Sequence, residues 1–266
     1  MRKAGDDRVA VRWRTWERAG RPGTLVSMPR KPNPLLCELH AHTTWSDGDL
    51  TVRELCDLYG RHGFDVLAVT DHTTRIGTEV TAGVYDRYLA EIDTEAERAR
   101  SLYDLLVLPG LELTYDDPDP TRSAHAVAVG LRAFIDLAGE SLESALATAR
   151  DQGAALVAAH PYSPDSLACA TRGTAAFAAR VSELAPLVDR FELFNRHTLF
   201  GWVAAAGLPG IATGDFHQVE HLRTWKTLLP CAKRPEAVVD YLRSKRPAFL
   251  VALDEAAVPL AASLAA

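Results

Sequence analysis

The sequence has no lysine between Lys31 and Lys226. A multinuclear metal barrel that bridges its ions with a carboxylated lysine would have no residue to work through across the body of the chain. Cysteine is also sparse: Cys37, Cys56, Cys169 and Cys231 form no C-x-x-C pair. That excludes a cysteine-rich zinc knot and points to reduced core thiols rather than a disulfide framework. No apolar run reaches the roughly 18–20 residues a membrane span needs, and the apolar segment 256–266 reads as terminal packing. The first sixteen residues are too charged for a secretion signal, so a cytoplasmic protein with no membrane partner is expected.

What is present is ordinary globular material: 266 residues, 47% hydrophobic and 24% charged, enough for one large α/β domain. The charge is uneven. Residues 1–34 carry nine Lys/Arg against three Asp/Glu, so of the net −6 the remainder holds −12. Pro29, Pro32 and Pro34 mark the end of this basic extension, and the main domain is placed at 35–266. The extension could touch a polyanion, but Val9, Val11, Trp13 and Trp16 suit a packed arm as well. An acidic body that binds anions needs cations in its site, and metals would supply them.

Strand and helix signals alternate after Pro34. Extended stretches are predicted at 35–42, 64–70, 125–131, 154–159, 190–194, 210–213 and 248–251, with a strand pair at 105–115. Helices are predicted at 86–101, 141–152, 198–206 and 235–243, and the Thr51-Val52-Arg53-Glu54 capping box opens another that runs to about His62. There is no internal repeat. This alternation favours a parallel (β/α) barrel, in which functional side chains gather at the C-terminal ends of strands.

The acids and histidines follow that rule. His40 and His42, one residue apart on a strand, point to the same side and make a divalent-metal clamp, with Asp47 on the turn beyond. The next predicted strands deliver Asp71 and His72, then Glu112, then His160, then Glu192 and Asn195, then Asp215 and His217. His125 fits less cleanly, since it opens its strand rather than ending it. His62, in a helix tail, reads as structural, while His197 and His221 lie in loops and are open to a substrate role. Nine ligands exceed one tetrahedral zinc and imply two or three divalent ions (Zn, Mn or Fe) sharing a carboxylate, for which Glu112 or Asp215 can serve.

In this order and spacing, His40-Ala41-His42 with Ser46-Asp47-Gly48, Thr70-Asp71-His72, Gly110-Leu111-Glu112, His160-Pro161 and Gly214-Asp215-Phe216-His217 resemble the polymerase and histidinol phosphatase (PHP) domain family. The likeness runs from residue 36 to 217. It departs where Gly214-Asp215 replaces a more usual Gly-Ser-Asp. The resemblance implies a distorted seven-stranded, TIM-like (β/α) barrel with three metal positions. It assigns His40, His42, Glu112 and Asp215 to the first, Glu112, His125 and His160 to the second, and Asp47, His72 and His217 to the third. Asp71 is expected to orient His72 from behind; Glu192 and Asn195 are open to an orienting, substrate-facing or structural role.

Such a site suits phosphoester hydrolysis, because a water shared by two cations loses its proton near neutral pH while the same cations neutralise the phosphoryl oxygens. His217 is the candidate proton donor to the leaving oxygen. Arg196, ahead of Arg75, Arg122 and Arg172, is the candidate phosphate clamp. The expectation is therefore a stand-alone phosphoesterase acting on the phosphomonoester or phosphodiester of a small metabolite or nucleotide. The alternatives are a nuclease on oligonucleotide ends, with nucleic acid the less favoured partner, and a metal-scaffolded binding or regulatory module. The absence of polymerase-sized flanking sequence argues against a proofreading appendage.

Overall fold

The computed structural model describes residues 33–74, 80–166 and 173–253. The basic extension lies outside the described residues except for residues 33 and 34, as do Arg75, Cys169 and Arg172. The chain opens with β1 (Leu35–Glu38), α1 (Val52–Arg61), β2 (Val66–Val69) and a short β3 (His72–Thr74). The long helix α2 (Tyr85–Tyr103) leads to β4 (Leu106–Tyr115), β5 (Ala124–Val129), α3 (Leu142–Asp151) and β6 (Ala155–Ala159). Short helices α4 (Ala176–Ala179) and α5 (Val181–Leu184) precede β7 (Arg190–Asn195), β8 (Thr198–Leu199), α6 (Gly201–Ala205) and β9 (Gly210–Thr213). The last described elements are β10 (Trp225–Leu229), α7 (Pro235–Arg243) and β11 (Phe249–Ala252).

The strands form one mixed sheet in the order β11-β10-β1-β2-β4-β5-β6-β7-β8, with β3 beside β4 and β9 beside β7. The sheet curls until the continuation of β1 meets that of β9. There Ala41 and Phe216 form an isolated parallel bridge, His42 N–H donating to Phe216 O at 2.8 Å and Phe216 N–H to His40 O at 3.1 Å. It is not the all-parallel sheet the alternation suggested: β4–β5, β5–β6, β1–β10, β7–β8 and β10–β11 pair antiparallel. The stretch between β4 and β5 is too short for a parallel crossover, which needs a dozen residues or more. The expected strand pair at 105–115 is one unbroken ten-residue strand, buried throughout. β3, β8 and β10 are strands the sequence did not announce.

The antiparallel course of β5 also explains the position of His125. Thr114 lies opposite His125, so the start of β5 sits on the rim where β4 ends. A residue that opens an antiparallel strand thus joins residues that close parallel ones.

Side chains alternate between two cores, as period-2 strands require. Leu67, Ala126, Ala128, Leu156 and Ala158 face the layer packed by α1, α2 and α3, while Val66, Ala68, Val127, Val129, Ala155 and Val157 face the inside of the curl. Val238, Tyr241 and Leu242 of α7 join the inner core. Buried Arg190 donates to the Tyr241 and Leu242 carbonyls at 3.0 and 2.9 Å, satisfying groups that the end of α7 leaves open. Glu112 and His125 continue the inward-facing rows of β4 and β5, so the polar cluster sits on an apolar floor.

Thr51 and Glu54 form the reciprocal capping box read from the sequence, each side chain bonded to the other's backbone N–H at 3.3 and 3.0 Å. Thr51→Ala is expected to lower the unfolding free energy by about 1 kcal/mol, which urea denaturation would register as a lower midpoint at unchanged slope.

Candidate metal centre

Glu112 is the hub. Its carboxylate is wholly buried, yet five imidazoles surround it. Oε2 lies 3.0 Å from His40 Nε2, 3.2 Å from His42 Nε2 and 3.1 Å from His72 Nδ1. Oε1 lies 3.0 Å from His125 Nδ1 and 3.1 Å from His160 Nε2. One carboxylate thus presents a separate oxygen to two groups of nitrogens, the arrangement a bridging ligand requires.

Asp215 shares the first group, its Oδ1 3.6 Å from His40 Nε2 and 3.5 Å from His42 Nε2. Asp47 closes the outer side, with Oδ2 3.1 Å from His217 Nε2 and Oδ1 3.6 and 3.7 Å from His42 Nδ1 and His72 Nε2. All nine predicted ligands therefore converge. Donor atoms close enough to share an ion group as His40, His42 and Asp215; as His42, Asp47, His72 and His217; and as His72, Glu112 and His125. The grouping differs from the assigned sets in that His42 and His72 each stand between two groups, and His160 reaches the cluster through Glu112.

The backbone bends sharply to achieve this. His160, Arg196 and Asp215 adopt positive φ of 28°, 53° and 42°, a region that non-glycine residues seldom occupy. Each lies within two residues of the end of β6, β7 or β9, and each lines a cavity of about 200 Å³ together with His72, Glu112, His125, Tyr162, Asn195 and His217. Strain gathered around one cavity is what a functional site predicts. Gly48 serves the same end: a Cβ there would collide with the His42 carbonyl, so only glycine lets the turn fold back on the clamp.

Carboxylates and hydroxyls behind the imidazoles orient them. Buried Glu192 receives His40 Nδ1 at 2.8 Å and Thr213 Oγ1 through one oxygen, and the His160 N–H and Asn195 Nδ2 through the other. Glu192 is thus an orienting group, the first of the roles left open for it. Thr114 and Thr174 approach His72 Nδ1 and His160 Nδ1 at 2.8 and 3.3 Å, and Asp116 approaches His125 Nε2 at 3.0 Å. The threonines escaped the sequence reading because a hydroxyl beside a ring nitrogen leaves no motif.

Two expectations about single residues change. Asp71 does not hold His72. Its carboxylate accepts Thr43 N–H, Thr43 Oγ1 and Ser46 Oγ at 2.7, 2.9 and 2.7 Å, and so pins the His42–Asp47 turn from beneath. Side chains at consecutive extended residues point opposite ways, which separates Asp71 from the ring of His72. Arg196 does line the cavity, but its guanidinium is engaged by the Asp215 carbonyl at 2.9 and 3.2 Å, the Asp215 carboxylate at 3.1 Å and His217 Nδ1 at 3.1 Å. It braces two candidate ligands rather than standing free for a phosphate. Arg122 is exposed and pairs with Asp117 at 3.5 Å; His197 is exposed on a turn; His221 Nδ1 accepts the His217 N–H at 3.1 Å.

The residues suit divalent metal. His42 Nε2 is buried and has no hydrogen-bond partner, although two carboxylate oxygens lie within 3.5 Å. A buried nitrogen that faces two carboxylate oxygens without hydrogen-bond geometry is placed as a metal ligand would be.

No protein-family model matches the chain. A stretch of 87 residues is 34% identical to the DNA polymerase/3'-5' exonuclease PolX of Bacillus subtilis, covering 30% of this chain and only 15% of that protein. A two-domain protein from Bacteroides vulgatus, containing a predicted PHP-like metal-dependent phosphoesterase, superposes over 88% of this chain and 69% of its own, with a TM-score of 0.64 and 19% identity. An amidohydrolase from Chromobacterium violaceum with bound sulfate matches over 83% of this chain and 99% of its own, with a TM-score of 0.50 and 16% identity. The protein thus has a curled, mixed α/β fold of the PHP-like kind. The resemblance to the PHP family carried by its motifs is matched by its fold.

Proposed function

We propose that the protein is a metal-dependent phosphoesterase. The observation that carries this reading is Glu112, a buried carboxylate whose two oxygens face separate groups of imidazoles, with His42 Nε2 left unbonded beside it. On this reading His40, His42, Glu112 and Asp215 hold one ion, Glu112, His125 and His160 a second, and Asp47, His72 and His217 a third. When bound, such ions supply Lewis acidity, lowering the pKa of a water and neutralising charge on phosphoryl oxygens. The protein's own part is to fix the donors, which Glu192, Asp71 and Arg196 do. His217 lines the cavity and is our candidate to protonate the leaving oxygen. The path β1-β2-β4-β5-β6-β7-β9, drawn together at Ala41 and Phe216, supports reading the curl as the distorted seven-stranded barrel of PHP proteins.

A cavity of about 200 Å³ lined by these side chains is large enough for a phosphoryl group, which supports this reading. The test is metal analysis together with hydrolysis of p-nitrophenyl phosphate. Two or more equivalents of Zn, Mn or Fe are expected in the purified protein, with turnover lost in Asp215→Asn. Activity unchanged by that substitution would place the chemistry elsewhere. The identity with a polymerase/exonuclease favours a nuclease as the second reading. Release of mononucleotides from a single-stranded oligonucleotide, without turnover of small phosphoesters, would establish it.

A further inference from the structure

Lys226, which ends the long lysine-free stretch, is fully buried, and so is its partner Glu38. An uncompensated charge of either kind would be expensive in this place, and each is fully partnered. Lys226 Nζ uses all three of its protons, on Glu38 Oε2 at 2.8 Å, Thr224 Oγ1 at 2.7 Å and the His221 carbonyl at 3.0 Å. Glu38 Oε1 accepts the N–H groups of Leu39, His40 and Gly214 at 3.0, 3.2 and 2.8 Å, while Oε2 also takes Tyr59 Oη at 3.0 Å.

The location gives these bonds their meaning. β1 ends at Glu38 and β9 ends at Thr213, so the N–H groups just beyond have left their ladders where the sheet curls shut. One carboxylate gathers them, and the residues it gathers are His40 itself and Gly214, the neighbour of Asp215. Through the His221 carbonyl, Lys226 also ties down the turn whose ring accepts the His217 N–H. Three candidate ligands from two strands are thereby referred to one ion pair. Gly214 fits the same account, because a Cβ there would fall on the Glu38 carboxylate and the Lys226 ammonium. The glycine of the Gly214-Asp215-Phe216-His217 motif makes room for the pair.

We propose that Lys226 and Glu38 are positioning residues of the metal centre, a buried ion pair that sets the separation of His40 from Asp215 and so governs metal affinity. The inference rests on the metal reading above. Lys226→Met keeps the length of the side chain and removes its charge. Because it strands Glu38, the neutral double variant Glu38→Gln/Lys226→Met accompanies it and keeps the test open if the single variant does not fold. Zn²⁺ affinity is measured by competition with a chromogenic chelator, and amide exchange is followed by mass spectrometry on peptides spanning 39–42 and 214–217. In the folded variants we expect about 10- to 100-fold weaker Zn²⁺ binding, the usual effect of losing an outer-sphere partner. Faster exchange is expected in those two peptides and not in α1 or α3. Wild-type affinity and exchange in the neutral double variant would overturn the positioning role alone. A wild-type protein that took up no Zn²⁺ would end the metal reading and this role with it.

Discussion

Glu112→Gln is expected to empty the centre while leaving the fold standing. Loss of an outer-sphere partner already weakens metal binding by about 10- to 100-fold, so loss of a carboxylate facing both groups of donors is expected to exceed ~100-fold. Turnover should fall with it, because among the described residues no other carboxylate spans both groups of imidazole nitrogens. The fold survives for an electrostatic reason. In the protein without metal, burial pushes the Glu112 carboxyl upward, but the imidazoles of His40 and His125 outweigh burial and hold it well below its usual range. Once residue 112 is neutral, His40 and His42 still face Asp215 and His125 still faces Asp116, so the imidazoles that keep a proton keep a carboxylate partner. The variant therefore leaves no lone buried charge, the one arrangement the fold would not tolerate. Plasma-emission metal analysis and circular dichroism of the same sample separate the outcomes. Full metal content in the glutamine variant would remove Glu112 from the proposed role of bridge.

The candidate ligands could be read from the sequence and the groups behind them could not, for a physical reason. A metal ligand must be His, Asp, Glu or Cys, so its identity survives in one letter, and strand periodicity fixes its side. His40 and His42 are the plainest case, and even His125 betrayed itself by residue type though its strand runs the other way. Support is chemically permissive. Thr114, Thr174, Ser46 and Glu192 act through a hydroxyl or carboxylate that any surface residue also carries, and only the folded chain brings Glu192 within 2.8 Å of His40. Asp71 shows the converse hazard: adjacency to His72 suggested a partnership that strand alternation forbids. At the level of fold, the helices with end signals were legible, such as α1 with its capping box and α7 with Pro235 in its first turn. Pairing direction was not, because antiparallel and parallel strands obey the same period of two. β10 was missed for a related reason: its buried lysine breaks the apolar pattern that a strand in this position would otherwise show.

Metal uptake near neutral pH is expected to expel protons, and its affinity to climb steeply with pH. Without metal, burial works to lower the pKa of His42, but Asp215 and Glu112 outweigh it and raise the ring to about 9. His125 is likewise lowered by burial and raised by Glu112 and Asp116, to about 9. His40 is carried well above the ordinary imidazole range by Glu112, Asp215 and Glu192 against the same burial. His72 goes the other way, burial lowering it to about 4, so it is already neutral at pH 7 and has no proton to give. A ligating imidazole must shed its proton, so full loading at pH 7 should release about three protons, one each from His40, His42 and His125. Calorimetry in buffers of differing ionisation enthalpy counts them directly, and a count of zero would mean the rings are neutral in the empty site. The same shifts fix the sign for stability. A His raised from about 6.5 in the unfolded chain to about 9 in the folded one stabilises fully below pH 6.5 and loses that contribution as pH rises through 9. The chelator-treated protein should therefore melt at lower temperature at pH 9.5 than at pH 7, because Glu112 and Asp215 lose their imidazolium partners. The metal-loaded protein should not, since bound cations keep both carboxylates compensated after the imidazole protons have gone. A thermal midpoint of the chelated protein that held steady across that interval would show that protonated histidines do not balance the buried acids.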